Sequence, residues 1–466
     1  MKTILITTMM GILLTSIFLP AVANAQSSIK IDGAGATFPF PLIDLWRVKY
    51  TEKHSNISVN YQSIGSGGGI TQHIGKTVNF AASDAPLTSK ELEAAPDSLH
   101  IPEAIGGVTV TYNIPEFPQS GLKLTSKNLA DIFLGKITKW NDPAIKADNP
   151  DVKLPNKVIL VAHRSDGSGT TFVFTEYLDM VSPEWHEKVG FGKTVPWPVG
   201  VGAAGNEGVA NVVKSTPYGM GYVELAYVLQ NKMPYAYLQN ADKTGFIAPS
   251  VETFAAAAKS LSSKLPQAHQ KWEGTSINNA PGDNSYPITS FTYIILYQNL
   301  DKATKSKEQA QETVNFIKYM ITDGQQYATG LNYVPIPDQV EKIGLDGLSR
   351  VTYNGEKLFV GTTPLIEENT PQSPVKQGKV PSWIKNNAKW WAEKQIGDTD
   401  FLSGIQFMIQ QKIILVSGNP TGSNQANTPV PDWIRNNAGW WSDDLISEDE
   451  FVKALEFLIN NGIVRV

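Results

Sequence analysis

The sequence predicts an α/β body followed by two small α-helical repeats, and three observations carry that reading. Strand-like runs alternate with helix-like ones from Ile29 to about Phe359, the pattern of α/β units. A stretch from Pro364 to Lys379, with further prolines at Pro371 and Pro374, shows no apolar period and reads as a linker. Beyond it, Val380 to Val416 and Val430 to Val466 align without a gap, identical at 15 of 37 positions, which marks an internal repeat.

In chain order, the first element is a leader. Lys2, an apolar stretch from Ile4 to Leu19 and the small-x-small triplet Ala23-Asn24-Ala25 predict a cleaved export signal over residues 1–25, with Gln26 opening the mature chain. The competing reading is an uncleaved membrane anchor, for which the run is short and ends at Pro20. Ile57 to Tyr61 and Val108 to Tyr112 alternate apolar and polar residues as half-buried strands do. Val158 to Val161 is continuously apolar, which predicts a strand covered on both faces. Leu42, Trp46 and Tyr50 make one helix face; Thr88 and Glu91 form a capping box; Leu129, Ile132 and Phe133 make a stripe that Gly135 stops.

Each repeat reads as a helical hairpin. Shared positions include Trp383/Trp433, Trp390/Trp440, Trp391/Trp441 and Phe401/Phe451, and Ser447 with Glu450 predicts a capped helix carrying Phe451, Leu455 and Leu458. Ser417 to Pro429 is a polar, glycine-bearing tether. Repeat one carries net charge +1 and repeat two −4, so the two can pair.

Composition excludes several classes. At about 150 residues per domain, 466 residues allow about three domains, and 41% hydrophobic with 18% charged residues disfavours disorder. A net charge of −5 gives no overall attraction to nucleic acid or anionic lipid, so any anion site is local. The absence of cysteine removes disulfides, thiolate metal sites, cysteine nucleophiles and the lipid-modified N-terminal cysteine. An exported chain without a lipid anchor is expected.

Three segments are rich in groups that hold an oxyanion, each after a strand-like run and before a helix-like one. Gly33 to Pro39 offers helix N-terminal N–H groups and the Thr37 hydroxyl. Gly65-Ser66-Gly67-Gly68-Gly69 lets backbone N–H groups approach a ligand, and a flexible turn is its plainer reading. Arg164 to Thr170 joins a guanidinium, hydroxyls and a helix N-terminus. Asp166 would repel an anion unless it holds Arg164. A nucleophile elbow needs glycine where Asp166 stands, and His186-Glu187 lacks the second histidine of a zinc helix. No metal or cofactor is implied.

The ordered motifs Gly33-Ala-Gly-Ala-Thr-Phe-Pro, Tyr61-Gln-Ser-Ile-Gly-Ser-Gly-Gly-Gly, Ala82-Ser-Asp-Ala-Pro-Leu, Leu134-Gly-Lys-Ile-Thr-Lys-Trp, Arg164-Ser-Asp-Gly-Ser-Gly-Thr and Pro287-Ile-Thr-Ser resemble the extracytoplasmic phosphate-binding protein of phosphate-specific ABC transporters, the PstS family. The resemblance implies a two-lobed periplasmic-binding-protein fold with a hinge, closing over one inorganic phosphate and delivering it to permease subunits, with no enzymatic activity. It puts lobe one at residues 28–104 and 288–359, lobe two at 105–287, linkers at 360–379 and 417–429, and helical repeats at 380–416 and 430–466. Carried over by position, it implies that Thr37, the backbone N–H of Phe38, Ser66 and Asp84 hold phosphate from lobe one. Arg164, Ser168, Gly169 and Thr170 do so from lobe two, with Asp166 as the partner of Arg164. Gly67 departs from relatives that carry serine there.

Asp84 facing a dianion fits phosphate, which keeps an O–H near neutral pH, and opposes fully ionised sulfate. The rival readings are a secreted phosphatase and a receptor for another tetrahedral oxyanion. The repeats resemble short Trp-rich modules appended to secreted archaeal proteins, with contact to a cell-surface layer as one expectation and aromatic core packing as the other.

Overall fold

The computed structural model describes residues 28–259 and 265–358, and beyond them 388–389, 391–392, 394, 397–398, 401–402, 405–406, 430, 432–442 and 448–460. The leader, the linker at 360–379, the tether at 417–429, Trp383, Trp390 and Ser447 lie outside the described residues. The chain divides into two units, Met1–Pro364 and Leu365–Val466. Among the described residues no helix is long and apolar enough to cross a membrane.

The first unit opens with β1 (Ile29–Gly35), α1 (Phe40–Lys53), β2 (Ile57–Ser63), α2 (Ser66–Ile74), β3 (Phe80–Ser83), α3 (Ser89–Ala94) and the long β4 (Ser98–Tyr112). It continues through β5 (Leu122–Leu124), α4 (Ser126–Phe133), α5 (Pro143–Asp148), β6 (Leu160–Arg164), α6 (Gly169–Val181), α7 (Pro183–Lys188), β7 (Val201–Ala203), α8 (Gly205–Ser215), β8 (Gly219–Glu224) and α9 (Leu225–Gln230). The remainder holds β9 (Ala236–Gln239), β10 (Phe246–Ile247), α10 (Val251–Ala258), β11 (Thr289–Tyr297), α11 (Lys307–Ile321) and α12 (Asp338–Ser349).

Eight strands form one mixed sheet in the order β2-β1-β3-β11-β4-β8-β6-β7, and a second small sheet runs β10-β9-β5. Parallel β1, β2 and β3 build one end and parallel β8, β6 and β7 the other. β4 joins them: residues 98–107 pair with β11 and residues 108–112 with β8. At the change of partner, Ile105 exchanges backbone hydrogen bonds of 3.1 and 2.8 Å with Val334. The two lobes are thus halves of one sheet. Residues Leu265 to Pro287 reach both: Trp272 packs edge-on against Phe291 and Tyr293 of β11, and Asn278 donates to the Val173 carbonyl in α6.

Local chemistry sets the helix positions. Helix α1 buries Leu42, Ile43, Trp46 and Tyr50 against the sheet, and the Trp46 indole N–H donates to the Gly324 carbonyl at 2.7 Å. Thr88 caps α3 with both bonds of the capping box formed. Helix α4 buries Leu129, Ile132 and Phe133. The expectation for Val158 to Val161 is corrected: Ile159 and Val161 are buried, but Val158 and Leu160 are 54% and 46% exposed. Val158 lies before β6 and Leu160 opens it; α8 covers that face only from Ala162 onward, where Ala162 packs with Val209, Ala210 and Val213, so the entrance to the strand meets solvent beside Val201.

In the second unit, described residues 50 positions apart take matching places. Trp391 stacks on Phe401 and Trp441 on Phe451, each at 4.1 Å. Ala388, Ile405, Ile434, Ala438 and Leu455 fill one core with them. Arg435 lies over the Trp391 ring at 4.7 Å, donates to the Trp391 carbonyl at 2.9 Å, and pairs with Asp398. So short a stretch buries little alone, and here described residues from 388–405 and from 434–459 supply one interior.

Candidate functional site

The site lies where three strand-to-helix turns meet. The loop after β1 brings Thr37 and Phe38 to the start of α1; Ser66 opens α2; Ser168 caps α6 and Gly169 and Thr170 form its first turn. All are buried or nearly so. Helix N-termini leave N–H groups without intrahelical acceptors, so the positive ends of three helices, α1, α2 and α6, converge here. Glycine is required where they approach: a Cβ on Gly169 would collide with Ser66 Oγ and Asp84 Oδ2, and Gly65, at φ 83°, would put one into Asp166.

The lobes are shut on each other. Gly67 N–H donates to the Gly167 carbonyl at 2.8 Å, Lys193 pairs with Glu91 at 2.8 Å, and Tyr227 Oη donates to the Thr37 carbonyl at 2.5 Å. Phe38 packs its ring near Tyr333, whose hydroxyl donates to the Phe38 carbonyl at 2.7 Å. This fixes the loop that carries the Phe38 N–H.

Arg164 forms a two-point pair with Asp166, Nε to Oδ1 at 2.7 Å and Nη2 to Oδ2 at 2.5 Å, and Gly205 N–H adds a third bond to Asp166 at 3.1 Å. Burial alone would raise the Asp166 carboxyl, but the Arg164 bonds and charge outweigh it and hold it below the ordinary range. Nη1 of Arg164 is turned the other way, to Thr37 Oγ1 at 3.1 Å and Thr170 Oγ1 at 3.3 Å.

Four hydroxyl oxygens in the cleft already accept hydrogen bonds. Thr37 Oγ1 accepts from Arg164, from Asn206 N at 3.2 Å and from Asn206 Nδ2 at 2.7 Å. Thr170 Oγ1 accepts from Arg164 and from Asn206 Nδ2 at 3.1 Å. Ser66 Oγ accepts from Asp84 N at 3.2 Å and Ser168 Oγ from Thr171 N at 3.0 Å. A hydroxyl has one proton and two lone pairs, so accepting these bonds leaves each of the four its own proton with which to donate.

Asp84 contrasts with these donors. Its Oδ1 accepts from Thr292 Oγ1 at 2.9 Å, while buried Oδ2, beside Gly169, has no hydrogen-bond partner among the described residues. Burial raises this carboxyl from 3.8 to about 7, against the Thr292 bond and the Arg164 charge.

Comparisons with known proteins bear on the family and the fold. Residues 20–324 match the model of the PBP superfamily domain. The Phosphate-binding protein PstS of Xylella fastidiosa is 47% identical over 323 residues, covering 69% of this chain and 86% of that protein. The chain belongs to the PstS family. The Phosphate-binding protein PstS of Methanocaldococcus jannaschii is 41% identical over 349 residues, covering 71% of this chain and 89% of that protein. Among solved structures, the phosphate binding protein (PBP) from Stenotrophomonas maltophilia shares the fold at TM-score 0.51 and 19% identity, over 67% of this chain and 92% of that chain.

Every site residue expected from the sequence, Thr37, Phe38, Ser66, Asp84, Arg164, Ser168, Gly169 and Thr170, with Asp166 behind Arg164, comes to this one PstS-family cleft. Sequence reasoning missed Asn206, Thr292, Glu103, Glu224 and Tyr333. Asn206 follows Gly205 at the start of α8, again a strand-to-helix turn after β7, and that placement was the available signal. Burial pushes Glu224 well up, opposed by its bonds with Tyr333, Ala226 and Leu225. His163 stacks on Trp197 at 4.8 Å, a packing role.

Proposed function

We propose that this chain is an extracytoplasmic receptor that takes one inorganic phosphate between its lobes and presents it to the permease subunits of an ABC transporter for import. Membership of the PstS family supports the receptor role and a binding rather than catalytic activity. The observation that carries the choice of ligand is the imbalance of the cleft. It is lined with hydrogen-bond donors, yet one buried acceptor, Asp84 Oδ2, is aimed among them.

In this reading Thr37, Ser66, Ser168 and Thr170 donate their hydroxyl protons to phosphate oxygens, and the N–H groups of Phe38, Gly169 and Thr170 add backbone donors. Arg164 supplies the cation, aimed by Asp166. Asn206 engages the lone pairs of Thr37 and Thr170 together, and so fixes both as donors across the closed interface. Asp84 accepts the one proton that phosphate retains. Sulfate has no proton to give and would set acceptor against acceptor in a water-free cleft. Sites built around a required donor reject the analogue lacking it by roughly 10⁴ to 10⁵.

Because donors come from both lobes, phosphate stabilises the shut form by its differential affinity, and the shut form is what a permease reads. Calorimetric titration with phosphate, arsenate and sulfate tests this. Phosphate and protonated arsenate bind and sulfate does not; equal sulfate affinity defeats the proposal. Steady turnover of a phosphomonoester would favour the phosphatase alternative instead. The C-terminal repeats are proposed to contact a cell-surface layer, and unchanged surface retention after deletion of residues 380–466 would remove that role.

A further inference from the structure

Two buried carboxylates share one hydroxyl. Thr292 Oγ1 lies 2.9 Å from Asp84 Oδ1 and 3.2 Å from Glu103 Oε1, and all three residues are almost wholly buried. The approach is built by a β-bulge. Across β11 and β4, Thr292 stands opposite Ala104 and Tyr293 opposite Pro102, so Glu103 is the extra residue. Bulges re-aim side chains, and the Glu103 carbonyl left over from the ladder accepts from Gln325 Nε2 at 2.8 Å.

A hydroxyl with one proton cannot donate to both carboxylates. If both were ionised, one would face a lone pair and the two like charges would meet in a low-dielectric interior. The conflict disappears when Glu103 holds a proton. It then donates to Thr292 Oγ1, Thr292 donates to Asp84 Oδ1, and Oδ2 is left as an acceptor on the cleft side. The reverse order, with Asp84 protonated, makes Oδ2 a weaker acceptor. Arg164 decides between them, since its charge acts on Asp84. Burial first, and then the Asp84 charge, push the Glu103 carboxyl well up, in the same sense. The other titratable groups near enough to feel the charge of the pair are Glu224, Tyr61, Tyr227, Tyr293 and Tyr333, none of them cationic.

We propose that Glu103 is a specificity-determining positioning residue: neutral, and acting through the Thr292 hydroxyl, it keeps Asp84 an acceptor for the proton that the ligand carries. This rests on the phosphate reading above, and it adds a residue that never touches the anion. No atoms are exchanged with the ligand; the step is a choice of where one proton resides.

The test combines infrared spectroscopy with calorimetry on the full chain. At about pH 8, well above ordinary carboxylate values, the protein, with or without phosphate, shows an un-ionised carboxyl component that Glu103→Gln removes and Asp84→Asn retains, beside the one that Glu224, also pushed up, contributes to every variant. Glu103→Gln, whose amide still donates to Thr292, keeps the preference for phosphate over sulfate within about threefold, whereas Thr292→Val lowers it by about tenfold or more and Thr292→Ser restores it. A band lost in Asp84→Asn, a band unaffected by Glu103→Gln, or full preference in Thr292→Val overturns the proposal. If the unaltered chain takes up no phosphate, the receptor reading falls instead, and the infrared band still decides where the proton sits.

Discussion

The two walls of the cleft each carry an aspartate, and their environments are opposite. Asp166 on the lobe-two wall is held by Arg164 and Gly205, and stays ionised below the ordinary range. Asp84 on the lobe-one wall is buried with a single hydroxyl donor, and is raised to about 7. The first is spent on aiming a cation. The second keeps an acceptor oxygen in reserve for the ligand. In the proposed receptor, attraction for an oxyanion and choice among oxyanions therefore fall to different residues, and substitutions separate them.

The largest effect belongs to Asp84→Asn, whose amide can donate to sulfate. The preference for phosphate, roughly 10⁴ in the parent, should fall to within about tenfold by competition calorimetry; a retained preference would break the contrast between the walls. The same variant reports on burial. Because the folded carboxyl is raised, its contribution is fully present below the unfolded value near 4 and is lost as pH rises through about 7. Ligand-free Asp84→Asn should thus be more stable than the parent at about pH 8, by up to about 4 kcal/mol, with the gap closing toward pH 4, as thermal unfolding would reveal.

An intermediate effect is expected for Asn206→Asp. A carboxylate there would accept the Thr37 and Thr170 protons and turn them from the anion, so phosphate affinity should fall by about a hundredfold. It should recover as the pH is lowered, whereas Asn206→Ala, losing about tenfold, should show no such recovery. The smallest effect sharpens the comparison: Asp166→Asn leaves Arg164 charged but less firmly aimed, lowering phosphate affinity by about tenfold while sulfate stays excluded. Sulfate uptake by this variant would show that the two walls are not independent.

The parts of the site that were legible in the sequence share a local signature. Thr37, Ser66 and Ser168 sit in glycine- and hydroxyl-rich turns between a strand and a helix, where residue type and backbone position point to one chemistry. Asn206 had the same placement but a plainer neighbourhood. Thr292 and Glu103 had no signal at all: they are strand residues, and their meeting depends on a one-residue slip between β4 and β11. Glu224 caps α9 with its own carboxylate, a role that a lone acidic residue does not announce. The sheet's extent was legible from alternation, but Val158 and Leu160 misled because an apolar run does not say whether a layer lies over both of its sides.

The continuity of β4 through both lobes has a mechanical result. Its ladder to β11 gives way to its ladder to β8 without a break in the strand, so the jaws can part by torsion spread along an extended ribbon that keeps both ladders, and only cross-lobe bonds such as Gly67 to Gly167 are given up. Such a leaf spring permits one direction of bending and resists sliding, and the hydroxyls of the two jaws return to the same places whenever it relaxes.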